Sequence, residues 1–240
     1  MDQEARRILA AAIVEAIETG NPIAPIPAGL GPADAPTAEA IAEEVLDTLG
    51  QPPCGLRCVF GAAGAMGLGP VLASRLLRDG ATLPLSALRQ ARVSAAAIGV
   101  LAEPLDPDGE GPPALAAIHP ALDVATSRFR DGPANPWEEA ADLGGLGFVV
   151  AGRRGAMPVE ALAASCAVEP QRPRGTPVDM TAAFAAAAAA ARRLGGLPAG
   201  GLLVLAGLTS PARPGAGETW VARLSGRGRA RAHFAASPAP

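Results

Sequence analysis

The sequence predicts an α+β fold in which N-terminal helices precede a mixed β-sheet core that carries one long late helix. Helical periodicity is confined to the first fifty residues and to one alanine-rich tract near the C-terminus. Between and after these segments, short apolar runs are separated by Gly, Pro and Asp turns, a pattern typical of strands. Helices that are segregated from strands favour α+β over a regular βαβ array. We therefore expect a helical extension over residues 1–50 and one β-rich core over residues 51–240.

The first fifty residues contain two predicted helices around a proline-broken connector. Apolar residues at helical spacing predict the first helix over 4–19, and Gly20 follows as its C-terminal cap. The second predicted helix spans 37–49, with Glu39 in its first turn and Gly50 after its end. The segment therefore reads as helix, connector and helix.

The core begins after Pro52 with a short apolar run that contains Arg57, which predicts a strand. The glycine-rich segment after it has neither a Walker lysine and hydroxyl nor a βαβ frame, so we interpret it as a loop rather than a phosphate cradle. Further elements follow in order: strands on either side of an acid-rich loop within 92–130, a short helix at 137–142, a strand at 148–150, a helix at 177–194 and closing strands.

Composition excludes several classes of function. The net charge of -3 argues against a nucleic-acid-binding surface, which needs a clustered excess of base. All basic residues are arginine, so no lysine is present for Schiff-base or general-base chemistry. The longest apolar tract, 182–191, is shorter than a membrane span, and three cysteines without zinc spacing suggest a reducing compartment. We expect a cytoplasmic protein that binds neither nucleic acid nor membrane, and its 49% hydrophobic content suggests contact with another subunit.

The stretch 92–130 is the predicted location of the functional site. Its second apolar run ends in Asp123, Arg128 and Arg130, the densest charged group beside an apolar strand in the chain. Asp123 could serve as a metal or water contact, or it could form a buried ion pair with Arg128. The residues alone leave both interpretations open.

Four segments carry a resemblance to a known family. They are TGNPIAPI at 19–26, CGLR at 54–57, HPALDVATSRFRD at 119–131 and the closing strands from GLLVLAGLTSP to RARAHF. In this order they resemble the 2-keto-4-pentenoate hydratase and oxalocrotonate decarboxylase group of the fumarylacetoacetate hydrolase superfamily. The resemblance implies the mixed-sheet, β-roll core of that superfamily's C-terminal type. It also implies a hydro-lyase of aromatic catabolism that acts on a small 2-hydroxydienoate or 2-oxo acid, as a homo-oligomer or together with a related subunit.

The resemblance further implies a divalent cation, Mg²⁺ or Mn²⁺, held by three carboxylates. Two of these positions correspond to Ser94 and Ala96, and the third to Asp123, so the metal site is degenerate. Arg57 stands where the family has a lysine. The resemblance assigns catalytic roles to Asp123 and Arg57, metal contact to Asp123, and substrate binding to Arg57, Arg128 and Ser94.

Three hypotheses follow. The first is a lyase of the hydratase or decarboxylase type, with Arg57 and Arg128 holding the substrate carboxylate. The second is a catalytically inactive relative that serves as a binding or scaffold subunit, since Ser94 and Ala96 lack carboxylates. The third is a metal-independent activity on a related keto acid, for which the sequence offers no general base.

Overall fold

A computed structural model describes residues 1–27, 29–61, 66–153, 161–226 and 228–236. The predicted glycine-rich loop therefore lies partly outside the described residues, at 62–65. Within the described ranges, no helix is long and apolar enough to cross a membrane.

Both N-terminal helices begin and end at the residues that their local sequence favours. Helix α1 spans Gln3–Thr19 and α2 spans Ala35–Leu49. The Asp34 carboxylate accepts a hydrogen bond from the Thr37 backbone N–H, so α2 begins two residues before the predicted start. Gly20 and Gly50 end the helices in the left-handed conformation, at φ 75° and 61°.

Two further helices belong to the core. Short helix α3 spans Pro136–Ala141 and alanine-rich α4 spans Met180–Arg193. Residues 177–179, which were expected to open the late helix, instead belong to a strand. They pair with a strand that lies earlier in the chain, so a long-range pairing overrides the local helical pattern.

The described residues form two sheets. The large sheet has the strand order β2-β1-β10-β5-β6-β7-β3, and the small sheet has the order β4-β12-β11-β8-β9. The strands are β1 Gly55–Phe60, β2 Met66–Val71, β3 Leu76–Arg78, β4 Ala81–Pro84, β5 Arg92–Leu101, β6 Leu115–Ala125, β7 Leu146–Ala151, β8 Ala161–Val168, β9 Thr176–Asp179, β10 Leu202–Ala206, β11 Thr219–Leu224 and β12 Gly228–Ala235. This architecture confirms the predicted α+β class with N-terminal helices and one long late helix.

The large sheet separates two hydrophobic cores. Along β5, Val93, Ala95 and Ala97 face the small sheet and α4, whereas Ala96 and Ile98 face α1 and α2. This alternation follows from the two-residue period of a strand. The N-terminal helices thus share a core with the sheet, and the division of the chain at residue 50 stays a prediction. Ser94 and Ala96 lie on the face that these helices cover.

Candidate functional site

Arg57 and Asp123 meet on the helix-covered face of the large sheet. Arg57 lies on β1 and Asp123 on β6, and β10 and β5 lie between these strands. Three strand spacings amount to about 14 Å in a flat sheet, so curvature is needed for the two side chains to meet. Strands β2 and β7 are in contact although four strands lie between them in the sheet order, which is consistent with such curvature.

The two side chains form a bidentate ion pair. The Nε of Arg57 donates to Oδ1 of Asp123 and its Nη2 donates to Oδ2, each at 2.7 Å. Its Nη1 donates to the carbonyl oxygen of Gly144, also at 2.7 Å. Arg57 is 1% exposed and Asp123 is 3% exposed. Each of the three guanidinium nitrogens thus has an acceptor. The planar fork of arginine makes two parallel hydrogen bonds to one carboxylate, a geometry that a lysine ammonium does not provide.

The charge balance at the pair keeps Arg57 protonated. Burial acts to lower the pKa of Arg57, but the charge and hydrogen bonds of Asp123, together with the charge of Glu139, outweigh it and raise that pKa above its ordinary value. Arg57 therefore cannot act as a general base or acid near neutral pH.

The two other positions implied as metal ligands lie beside Asp123 but carry no carboxylate. Ser94 lies directly across from Asp123 in the β5–β6 register, and Ala96 follows two residues later on the same face. The Ser94 hydroxyl accepts a hydrogen bond from the Gly207 backbone N–H at 3.1 Å. This hydrogen bond connects β5 to the residue that follows β10. Substrate binding by Ser94 stays a prediction.

These residues do not fit a divalent cation. Mg²⁺ and Mn²⁺ require several oxygen ligands whose charge balances the ion. The one carboxylate at this site already has both oxygens bound to a guanidinium, and the methyl group of Ala96 offers no ligand. In the described part of the chain, no group of three or more His, Cys, Asp or Glu side chains could hold a metal ion. The described residues therefore do not support a metal-dependent reaction step at this site.

Arg128 forms a second buried ion pair, and its partner is Asp142 rather than Asp123. Its Nε donates to Oδ1 of Asp142 and its backbone N–H donates to Oδ2 at 2.9 Å. The remaining nitrogens donate to the carbonyl oxygens of Asp142 and Leu146 and to the Thr126 hydroxyl. The interpretation of Asp123 and Arg128 as an ion pair is therefore wrong, because Asp123 pairs with Arg57 and Arg128 pairs with Asp142.

The Arg128–Asp142 pair is a structural clamp. Burial raises the pKa of Asp142, and the charge of Arg128 opposes that rise. Arg128 is 8% exposed and Asp142 is 1% exposed. The clamp joins the end of β6 to the end of α3, and it leaves Arg128 little capacity to bind a substrate carboxylate.

The turn Leu143–Gly145 supplies the acceptor that sequence reasoning missed. Its three residues have positive φ angles of 54°, 63° and 68°, which direct the Gly144 carbonyl at Arg57. The turn also packs closely on Gly69, where a Cβ atom would lie 2.4 Å from the Leu143 carbonyl oxygen. The Gly144-Gly145 pair signalled a turn in the sequence, but nothing signalled what that turn would contact.

Three further potential nucleophiles or bases, His119, Cys58 and Cys166, are also occupied or inert. The Nδ1 of His119, on β6, lies 3.0 Å from the Gly152 carbonyl oxygen. Burial raises the pKa of the Cys58 and Cys166 thiols to about 12, so both are protonated at neutral pH. His119 thus has a structural hydrogen bond, and these two cysteines supply no thiolate.

The fold is shared with solved structures of 4-oxalocrotonate decarboxylase, which agrees with the fold that the sequence resemblance implies. The chain is similar to 4-oxalocrotonate decarboxylase from Pseudomonas putida G7, complexed with magnesium and adipate, at 18% identity and a TM-score of 0.81, with 98% of each chain covered. The same enzyme complexed with calcium and acetate gives 19% identity and a TM-score of 0.78 over 98% of each chain.

Other solved structures share a smaller part of the fold. Fumarylpyruvate hydrolase from Pseudomonas aeruginosa, in complex with Mn²⁺ and pyruvate, matches at 13% identity and a TM-score of 0.54, with 76% of this chain and 89% of that chain covered. No family model matches the sequence, and no curated protein matches it. At these identities the likeness establishes the fold, while activity has to be argued from the site.

Proposed function

We propose that this chain is a catalytically inactive relative of the small-acid enzymes that share its fold, and that it serves as a binding or scaffold subunit. The observation that carries the proposal is the bidentate ion pair between Arg57 and Asp123. The guanidinium supplies an internal positive charge at the positions where the resemblance implies a metal cation.

Electrostatics supports this proposal. With one positive and one negative charge, the buried pair is neutral, so a divalent cation beside it would be repelled by Arg57. The further carboxylate whose charge reaches Arg57, that of Glu139, is exposed and therefore weakly balances such an ion. To free Asp123 for a metal, the pair would have to break, which costs about 3–5 kcal/mol for a buried ion pair. Coordination of the ion by the Asp123 carboxylate alone would not offset that cost, because a divalent cation needs several oxygen ligands.

Among the described residues at this site, none is suited to proton transfer near neutral pH. Arg57 is too basic, the Asp123 carboxylate accepts two hydrogen bonds from it, and the Ser94 hydroxyl accepts one from a backbone N–H. A hydratase or decarboxylase needs a group that takes up and releases a proton near neutral pH. The lyase hypothesis therefore has weaker support than the inactive one.

Turnover assays test the proposal. The purified chain is incubated with 2-hydroxypenta-2,4-dienoate or with 4-oxalocrotonate, with and without Mg²⁺ or Mn²⁺, and substrate absorbance is followed. We expect the rate to equal that of the same solution without protein, whichever ion is present. Metal-dependent turnover that disappears in Asp123→Asn would overturn the proposal, since that variant keeps the shape of the side chain and removes its charge.

A further inference from the structure

A second charged region lies away from the Arg57–Asp123 pair. It is a cavity of about 220 Å³ between the end of α1 and the segments that follow β4 and β6. Ile17 and Phe148 contribute apolar surface, and Arg75, Arg89 and Arg128 contribute positive charge. Its lining thus combines an apolar wall with several cations.

Arg75 is the more buried of the two arginines in this cavity, Arg75 and Arg89, that form no ion pair within the described residues. It is half-buried, and its guanidinium carbon lies 5.0 Å from the centre of the Phe148 ring. Across the described ranges of the chain, Arg75 forms no ion pair with a carboxylate. Stacking on an aromatic face orients the guanidinium but does not neutralise it.

The surroundings of Arg75 favour an added anion. Burial lowers the pKa of Arg75, and the positive charge of Arg128 lowers it further. Arg128 itself is paired with Asp142, so it does not compete with Arg75 for a ligand. Glu18 is the acidic residue in the cavity lining, and it is exposed at the end of α1. An entering carboxylate would relieve the repulsion that Arg75 experiences.

We propose that this cavity binds a short organic carboxylate, with the carboxyl group on Arg75 and the hydrocarbon part against Ile17 and Phe148. Arg89 lies at the same cavity, where its Nε donates to the Gly20 carbonyl oxygen at 3.3 Å, and its charge adds to the attraction. The apolar wall favours an organic acid over inorganic phosphate, which has no hydrocarbon to bury. Neither Arg57 nor Asp123 lines this cavity, so the inference does not depend on the proposed function.

Calorimetric titration at constant ionic strength tests the inference, with sodium adipate, sodium pyruvate and inorganic phosphate as probes. Arg75→Gln removes the charge, and Arg78→Gln is the matched control because it removes an exposed arginine three residues away that does not line the cavity. Loss of one charge-assisted hydrogen-bonding partner weakens binding by roughly tenfold or more. We expect that loss in Arg75→Gln, wild-type affinity in Arg78→Gln and partial retention in Arg75→Lys.

Three results would overturn the inference. The first is the absence of binding of either carboxylate to the wild-type chain. The second is equal affinity in the wild type and Arg75→Gln, above all if Asp123→Asn abolishes binding, since the ligand would then lie at the central site. The third is phosphate binding as tight as that of the carboxylates, which would contradict a role for the apolar wall.

Discussion

Arg57 neutralises the buried Asp123 carboxylate without the help of a metal ion. Its guanidinium matches the planar Asp123 carboxylate with two hydrogen bonds and uses the third nitrogen on Gly144. A metal cation would instead act as a Lewis acid on a bound oxygen, which a fully hydrogen-bonded guanidinium cannot do. The pair is therefore neutral, and under the proposed function it offers no Lewis-acidic position to a bound substrate.

The energetic coupling within this pair can be measured with a double-mutant cycle. Arg57→Met and Asp123→Leu should each lower the free energy of unfolding by about 3–5 kcal/mol, because each leaves an unpaired buried charge. The double variant should lose much less than the sum of the two, since both charges are gone. Urea denaturation followed by circular dichroism gives the three values. Additive losses would show that the residues do not stabilise one another.

At the scale of elements, the turn Leu143–Gly145 holds α3, β2 and β7 around the pair. Gly144 has φ 63°, and a Cβ atom there would lie 2.6 Å from the Leu68 carbonyl oxygen on β2. Both the left-handed backbone and the close approach of β2 require glycine at this position. The turn positions the Gly144 carbonyl for Arg57, so its geometry and the ion pair are linked.

Substitution of this glycine should separate the cost of close packing from the cost of backbone conformation. Gly144→Ala is expected to lower the free energy of unfolding by about 2–3 kcal/mol, from the strained φ and the contact with β2 together. Gly80→Ala is the control, because Gly80 has φ 84° with no atom within 4 Å of an added Cβ, and it should cost about 1 kcal/mol. Thermal or urea unfolding measures both losses. Equal losses would mean that the turn adapts to the added methyl group.

Local signals made much of the fold predictable, whereas long-range pairing did not. The ends of α1 and α2 follow from residues that lie within a few positions of each end, such as Asp34 and Gly50. The boundary between β9 and α4 depends on pairing with β8, which no local pattern shows. The late helix was therefore placed three residues too early.

The pairing within the candidate site was not predictable from the sequence. The resemblance pointed to Ser94, Ala96 and Asp123, and in the structure Asp123 lies beside Ser94 in the adjacent strand. The partner of Asp123 is 66 positions away in the sequence, on a strand separated from it by two others. Composition and spacing cannot select that arginine from the others, so contact between Arg57 and Asp123 required the fold.

For the whole molecule, the arrangement of layers explains why the fold tolerates the missing carboxylates. The large sheet has one core toward the small sheet and α4 and another toward α1 and α2. The Arg57–Asp123 pair lies on the second face and is neutral, so it needs no further ion to be buried there. The fold can therefore persist without a metal, and we expect the native chain to bind none at this site.

Titration of Mn²⁺ with the protein, followed by the electron paramagnetic resonance signal of free Mn²⁺, tests whether the Arg57–Asp123 site binds a metal. With increasing wild-type protein the free signal should stay unchanged, because Arg57 holds both oxygens of Asp123. The combined variant Arg57→Lys, Ser94→Glu and Ala96→Glu should reduce it, since that variant releases Asp123 and adds two carboxylates on the same face. The account would be contradicted if the wild-type chain bound one Mn²⁺ and Asp123→Asn abolished that binding.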